Sequence, residues 1–194
     1  MTLSIPVRPR EAELHAVATR LFRQRGFHAT SMRDLGDALG MNRGSLYHYI
    51  TAKDELLWAI LTRALDLLEA RVLPILEGDA PAVDRLTNGI REHLRVAADH
   101  ADELSLIQIE WRALDRIRQA EMIRRRDAYE AQWRATLEAG IADGSLRKFD
   151  VRLAGIGILS ACNWFTQWYR PGGSAGVDEI ADAFAELFLG GLRS

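Results

Sequence analysis

Only one cysteine, Cys162, occurs in 194 residues. It excludes an intrachain disulfide and a cysteine-based zinc cluster. Apolar neighbours and no nearby base in sequence predict an inert core thiol, not a nucleophile. Long apolar runs are also missing. The longest, Leu153 to Ala161, carries a serine and two glycines, far short of the roughly 20 residues a membrane helix needs. No membrane partner is expected. No basic-then-apolar leader opens the chain, which predicts a cytoplasmic protein. Strand-like alternation, internal repeats and low-complexity tracts are not evident. There is no glycine-rich phosphate loop. The five histidines, His15, His28, His48, His93 and His100, form no dense ligand cluster. His93 and His100 lie seven apart and read as exposed side chains near a helix end. The expectation is no catalytic residue, no metal and no cofactor: a protein that is not an enzyme.

What is present is helix. Gly and Pro gather at a few breaks: Gly26, Gly40, Gly78 to Pro81, Gly144, and Pro171 to Gly176. Between them the spacing predicts about nine helices, near residues 10–25, 31–39, 42–49, 53–73, 81–99, 102–114, 116–143, 151–169 and 177–192. Pro74 is expected to kink or end the fourth. The first residues, with Pro6 and Pro9, read as a loose arm. The fold class is all-α: an N-terminal three-helix unit followed by a larger helical bundle.

Charge divides along the same line. Residues 1–53 hold eight Arg and Lys against four Asp and Glu, whereas the remainder holds 17 against 23. A basic first quarter on an acidic body suits a small module that meets an anion. In that quarter, GMNRGSLYHYITAK (residues 40–53) follows a short helix and a glycine turn, the layout of a helix-turn-helix. Its second helix would enter the major groove of double-stranded DNA. Arg43 can reach guanine or a phosphate. Gly44, at about 1 kcal/mol of helix stability relative to Ala, lets the backbone come close. Tyr47 and His48 offer polar atoms to bases or phosphates, and Lys53 a charge to a phosphate. Tyr49 suits a core ring as well as a phosphate contact. With Ser31, Arg33, Asn42 and Ser45 these make the candidate DNA-binding set.

LFRQRGFHATSMRDLGDALGMNRGSLYHYITAKDELL strongly resembles the DNA-binding domain of the TetR family of bacterial transcriptional regulators. The markers are Phe22, Gly26, Phe27, Thr30, Leu35, Gly40, Gly44, Ser45, Leu46, Tyr47, Tyr49, Lys53 and Leu56. Gly36 and Ile50 stand where the family usually has alanine and phenylalanine. The resemblance implies a DNA-binding domain over residues 1–53 and an effector-binding, dimerising domain over 54–194. It also implies a homodimer on a palindromic operator.

In the acidic part, helix eight is apolar all round and so should be buried all round, one side inward and one on a partner chain. Ile158, Cys162, Phe165, Phe184 and Phe188 are the candidate dimer contacts. On helix seven, Met122, Arg126, Tyr129, Trp133, Leu137 and Ile141 share one face, which puts Arg126 on an inward stripe. Leu106, Glu110 and Trp111 belong to helix six. EWRALD (110–115), the arginine-bearing helix and NWFTQWYRPGG (163–173) look like the TetR branch that regulates fatty-acid and sterol degradation. That narrower resemblance implies an acyl-CoA effector. The candidate effector set is Leu106, Glu110, Trp111, Met122, Arg126, Tyr129, Trp133, Leu159, Trp164, Trp168 and Arg170. The alternative is a sensor of cationic or aromatic drugs that controls efflux, which Glu110 with Trp111 and Trp133 would suit.

Overall fold

The computed structural model describes residues 9–192, apart from the side chains of Pro9 and Arg43. It contains helices α1 (Pro9–Arg25), α2 (Met32–Leu39), α3 (Arg43–Tyr47), α4 (Lys53–Leu76), α5 (Ala82–Asp99), α6 (Ala101–Ile109), α7 (Arg116–Ala142), α8 (Val151–Trp168) and α9 (Val177–Gly190), with a 3-10 turn at Trp111–Ala113 between α6 and α7. The all-α class and the number of helices agree with the spacing. Pro6, and with it most of the expected arm, lies outside the described residues.

The start of α2 is set by sequence chemistry. Ser31 accepts from the Asp34 backbone N–H while the Asp34 carboxylate accepts from that of Ser31, a reciprocal cap. Its end is set by Gly40, left-handed at φ 62°, where a side chain would be strained. Asn42 then caps α3 by accepting from Ser45 N–H at 2.8 Å. α3 is only five residues long, too short to be stable alone. Leu46, fully buried, anchors it on the core.

α4 runs through Pro74 to Leu76, three residues beyond the expected end. A proline in the last turn removes one backbone donor but leaves the preceding turns intact. The freed end is held: Thr136 Oγ1 at 3.3 Å and Arg85 Nη1 at 2.5 Å both donate to the Leu76 carbonyl. Helix six, expected to reach residue 114, stops at Ile109 and continues as the 3-10 turn.

α4 belongs to both parts of the molecule. Its buried residues run from Leu56 to Leu76, and one apolar cluster continues from Leu14 on α1 to Leu189 on α9. Helix eight is not buried all round. Gly155, Ile158, Cys162, Phe165 and Thr166 face inward, whereas Leu153, Ile156, Trp164 and Trp168 are exposed. Among the described residues no helix is long and apolar enough to cross a membrane.

Candidate DNA surface and effector cavity

The capping of α2 and α3 brings Ser31, Arg33, Asn42 and Tyr47 around one groove of about 610 Å³, with Met32 and Met41 between them. The methionines are absent from the predicted set, and nothing in their spacing marked them. They offer apolar surface of the kind that meets a thymine methyl. Gly44 is exposed and Ser45 half-buried. Arg43 opens α3, but its side chain lies outside the described residues. His48 and Tyr49 turn toward a different groove, shared with Glu11 and His15 of α1.

Lys53 is placed otherwise than expected. Its ammonium donates to the carbonyls of Phe27 and Thr30, both at 2.6 Å, and sits 4.2 Å from the centre of the Phe27 ring. Two of its three hydrogens therefore brace the loop between α1 and α2. The Phe27 N–H is held too, by the Glu110 carboxylate at 3.0 Å. Next to this contact Arg23 of α1 reaches Asp102 at 2.9 Å and also the Ser105 hydroxyl, which in turn receives Gln167 Nε2 of α8 at 2.8 Å. A polar seam thus joins α1 to α6 and α8.

Above the seam a cavity of about 330 Å³ opens between α4, α6, α7 and α8. Leu65, Leu68, Leu104 and Ile107 give it an apolar wall, and Trp111, Arg126, Tyr129 and Leu159 of the predicted effector set line it. Arg126 is half-buried, with its guanidinium 5.9 Å from the Trp111 ring centre, within cation–π range. Its neighbours are spoken for. Arg124 pairs with Glu121, and Arg125 with Asp66 and Glu69. Among the described residues Arg126 has no ion pair. Asp127 and Glu130 stand on the same wall, Glu130 with Arg134 at 3.8 Å.

The other predicted effector residues lie elsewhere. Leu106, Met122 and Trp133 are core, at 1%, 0% and 0% exposure. They sit on the right helix face but one layer too deep. Glu110 points at Phe27 and not into the cavity. Trp164 and Trp168 are on the outer side of α8, 64% and 46% exposed. Arg170 donates to the carbonyls of Tyr169 and Gln167 at the end of α8, where a cation is favoured. Of the candidate dimer contacts, Ile158, Cys162 and Phe165 are turned into their own protomer. Burial pushes the Cys162 thiol up to about 12, as an inert thiol requires. Phe184 and Phe188 are half-buried on α9, their rings edge to face at 5.9 Å.

His93 overturns its expected exposure. It is 1% exposed, with Nδ1 3.1 Å from the Tyr129 hydroxyl. Burial pushes its pKa down to about 4, opposed by a hydrogen bond with Asn163. The sequence did carry the signal. Leu86, Ile90, Leu94 and Ala97, all buried, form the inward stripe of α5, and His93 lies on it. Asn163 and Gln108, also missed, line the cavity.

Comparison with known proteins agrees with this geometry. The profile described as "Bacterial regulatory proteins, tetR family" matches residues 14–60, and "Tetracyclin repressor-like, C-terminal domain" matches residues 79–192. The HTH-type transcriptional repressor KstR2 of Rhodococcus jostii is 32% identical over 188 residues, covering 95% of this chain and 92% of its own. The structure of the ketosteroid transcriptional regulator KstR2 of Mycobacterium tuberculosis superposes with a TM-score of 0.91 at 29% identity, covering 97% of both chains. AibR, solved in complex with isovaleryl coenzyme A and operator DNA, gives 0.83 at 27% identity, covering 92% of this chain and 97% of its own. An exposed helix-turn-helix, a cavity above it and two profiles spanning both parts lead to one conclusion: the chain belongs to the TetR family of bacterial transcriptional regulators, and is not an enzyme.

Proposed function

We propose that the protein is a repressor that leaves its operator when a coenzyme A thioester enters the cavity between α4, α6, α7 and α8. The observation that carries this is Arg126, a half-buried guanidinium that has no ion pair among the described residues, on the wall of an apolar cavity. Such a cation suits a phosphate or a carboxylate, and the apolar wall suits an acyl group. At ~30 Å³ per water, the cavity matches about eleven waters. It takes an acyl group of about ten non-hydrogen atoms, shorter than a long fatty chain, and leaves the nucleotide outside. The complex of AibR with isovaleryl coenzyme A and operator DNA supports the reading.

Two copies would pair through the outer stripe of α8, Leu153, Trp164 and Trp168, together with Phe184, Leu187 and Phe188 of α9. Their α3 helices would then meet two half-sites roughly 34–36 Å apart, or further by whole turns. The effector must bind the released arrangement more tightly, since equal affinity shifts nothing. Two routes lead from the cavity to the DNA surface. One is α4, which carries Leu65 and Leu68 of the wall and begins at Lys53. The other is the end of α6, where Trp111 lines the cavity and Glu110 holds Phe27.

Asp127 and Glu130 on the same wall favour a second reading, a sensor of cationic drugs. Titrating acyl-CoAs, free fatty acids and cationic dyes into a protein–operator complex separates the two. Release by CoA thioesters is expected. Release by dyes alone selects the drug sensor, and release by free fatty acid as readily as by its thioester removes Arg126 from the role.

A further inference from the structure

The helix-turn-helix unit continues into the bundle through α4, a single helix that begins at Lys53. One helix by itself lets the unit swing about its first turn, so ties away from its axis are needed to fix where α3 points. Glu110 supplies one such tie at Phe27. Another leaves from α1 and is built differently. The Arg23 guanidinium gives Nε to the Asp102 carboxylate at 2.9 Å and Nη1 to the Ser105 hydroxyl. Asp102 and Ser105 lie three apart on one face of α6, so two arms of the planar fork are held by one helix. Ser105 is fully buried, and its oxygen can accept two hydrogen bonds. Arg23 supplies one donor and Gln167 Nε2 of α8, at 2.8 Å, supplies the other. Gln167 is half-buried and also meets Thr166 Oγ1 at 3.4 Å. A single buried oxygen thus joins α1 of the DNA-binding unit to α8.

The Arg23–Asp102 pair alone would fix little, since the carboxylate is 55% exposed and exposed ion pairs are weak. The shared hydroxyl is what gives the contact one geometry. Its position in the dimer gives it a use. Gln167 precedes Trp168 and lies about one turn from Trp164, both exposed on the stripe through which two copies would pair. The path from the partner copy to α1 is then Trp168, Gln167, Ser105 and Arg23. We propose that Arg23, Ser105 and Gln167 are positioning residues that set the separation of the two recognition helices, by tying α1 of each copy to its pairing helix. The proposal rests on the pairing through α8 given above.

Operator spacing tests this directly. One added base pair moves two half-sites apart by about 3.4 Å and rotates one against the other by about 34°. A rigidly spaced dimer loses contacts on such a site, whereas a loosened one follows it. The probe is the palindrome that the full chain selects from random-sequence duplexes, with one base pair inserted at or removed from its centre. Affinity is read by fluorescence anisotropy. Each change should cost the wild type about tenfold or more, and Ser105→Ala and Gln167→Met should bring that penalty below about threefold. Their affinity for a single half-site should stay that of the wild type. Arg23→Lys keeps a charge for Asp102 but has no second arm for Ser105, and should behave as they do. Arg125→Ala loses an ion-pair network away from the seam and should keep the full penalty, with melting curves recorded for every variant. A penalty retained in either Ser105→Ala or Gln167→Met overturns the proposal. Its loss in Arg125→Ala as well overturns it too, because spacing would then follow stability. A wild type indifferent to spacing has the same consequence. If Trp164→Asp stays dimeric by sedimentation, the pairing reading itself fails, whatever the spacing series gives.

Discussion

Glu110→Ala is the sharpest perturbation of signal transfer. Glu110 follows the last residue of α6 and precedes Trp111 of the cavity wall, and its carboxylate accepts the Phe27 N–H at 3.0 Å. Phe27 itself is 3% exposed and its carbonyl is held by Lys53. Removing the carboxylate leaves that N–H unmet in a partly buried setting. Hydrogen bonds to charged groups contribute about 1.5–3 kcal/mol, and partial exposure puts this one at the lower end. A loss of about 1.5 kcal/mol should lower the melting temperature by roughly 3–6 °C, from the ~2–4 °C per kcal/mol typical of a chain this size. The same energy bounds the coupling this contact can carry, about tenfold in affinity. The assay is operator affinity with and without saturating effector, read by fluorescence anisotropy. The ratio of the two affinities should fall by up to about tenfold in Glu110→Ala. Glu110→Gln keeps an accepting oxygen and should retain most of the ratio. A ratio unchanged within twofold, in a protein whose melting point has dropped, would refute the role of this contact in coupling and leave it a brace.

Arg126→Ala should weaken thioester-driven release with little change in melting temperature, whereas Arg125→Ala, which loses Asp66 and Glu69, should cost about 1–2 kcal/mol of stability; thermal melts and operator-release titrations read both. Lys53→Ala should cost about 2 kcal/mol of stability and weaken all DNA sequences alike. Arg43→Ala should cost about 1–3 kcal/mol at one base position and relax preference there, as binding to a mutated operator series would report. Trp164→Asp, on the outer stripe of α8, should give a monomer by sedimentation while its helix content by circular dichroism stays unchanged. His93 is held neutral well below its ordinary value of 6.5, so on acidification the unfolded chain takes up a proton that the folded chain refuses. Its contribution to stability is whole above pH 6.5 and declines as pH falls toward about 4; denaturant titrations over that range should show the slope, and His93→Phe should flatten it.

Helix number, the caps at Ser31 and Asn42, and the glycine turn at Gly40 are legible in sequence because each depends on residues within four positions. The inward stripe of α7 is legible too, because periodicity alone puts Arg126 and Tyr129 on one face. What periodicity does not carry is depth. Met122, Arg126, Tyr129 and Trp133 share that stripe, yet Met122 and Trp133 are sealed in the core while Arg126 and Tyr129 reach the cavity. The difference comes from how α4, α5 and α8 close around α7. Helix eight misled for a related reason: apolar residues on every side do not tell which side the chain covers for itself, and packing turned Ile158, Cys162 and Phe165 inward and left Trp164 and Trp168 outside. Glu110 and Lys53 lay beyond any local reading. Their partners, Phe27 and Thr30, are 83 and 23 to 26 residues away in the chain. Local chemistry by itself determined which helices form and which of their faces are apolar. Only the tertiary structure decided which charged groups meet backbone atoms and which stay open to a ligand, because those contacts join residues that become neighbours only when the helices pack.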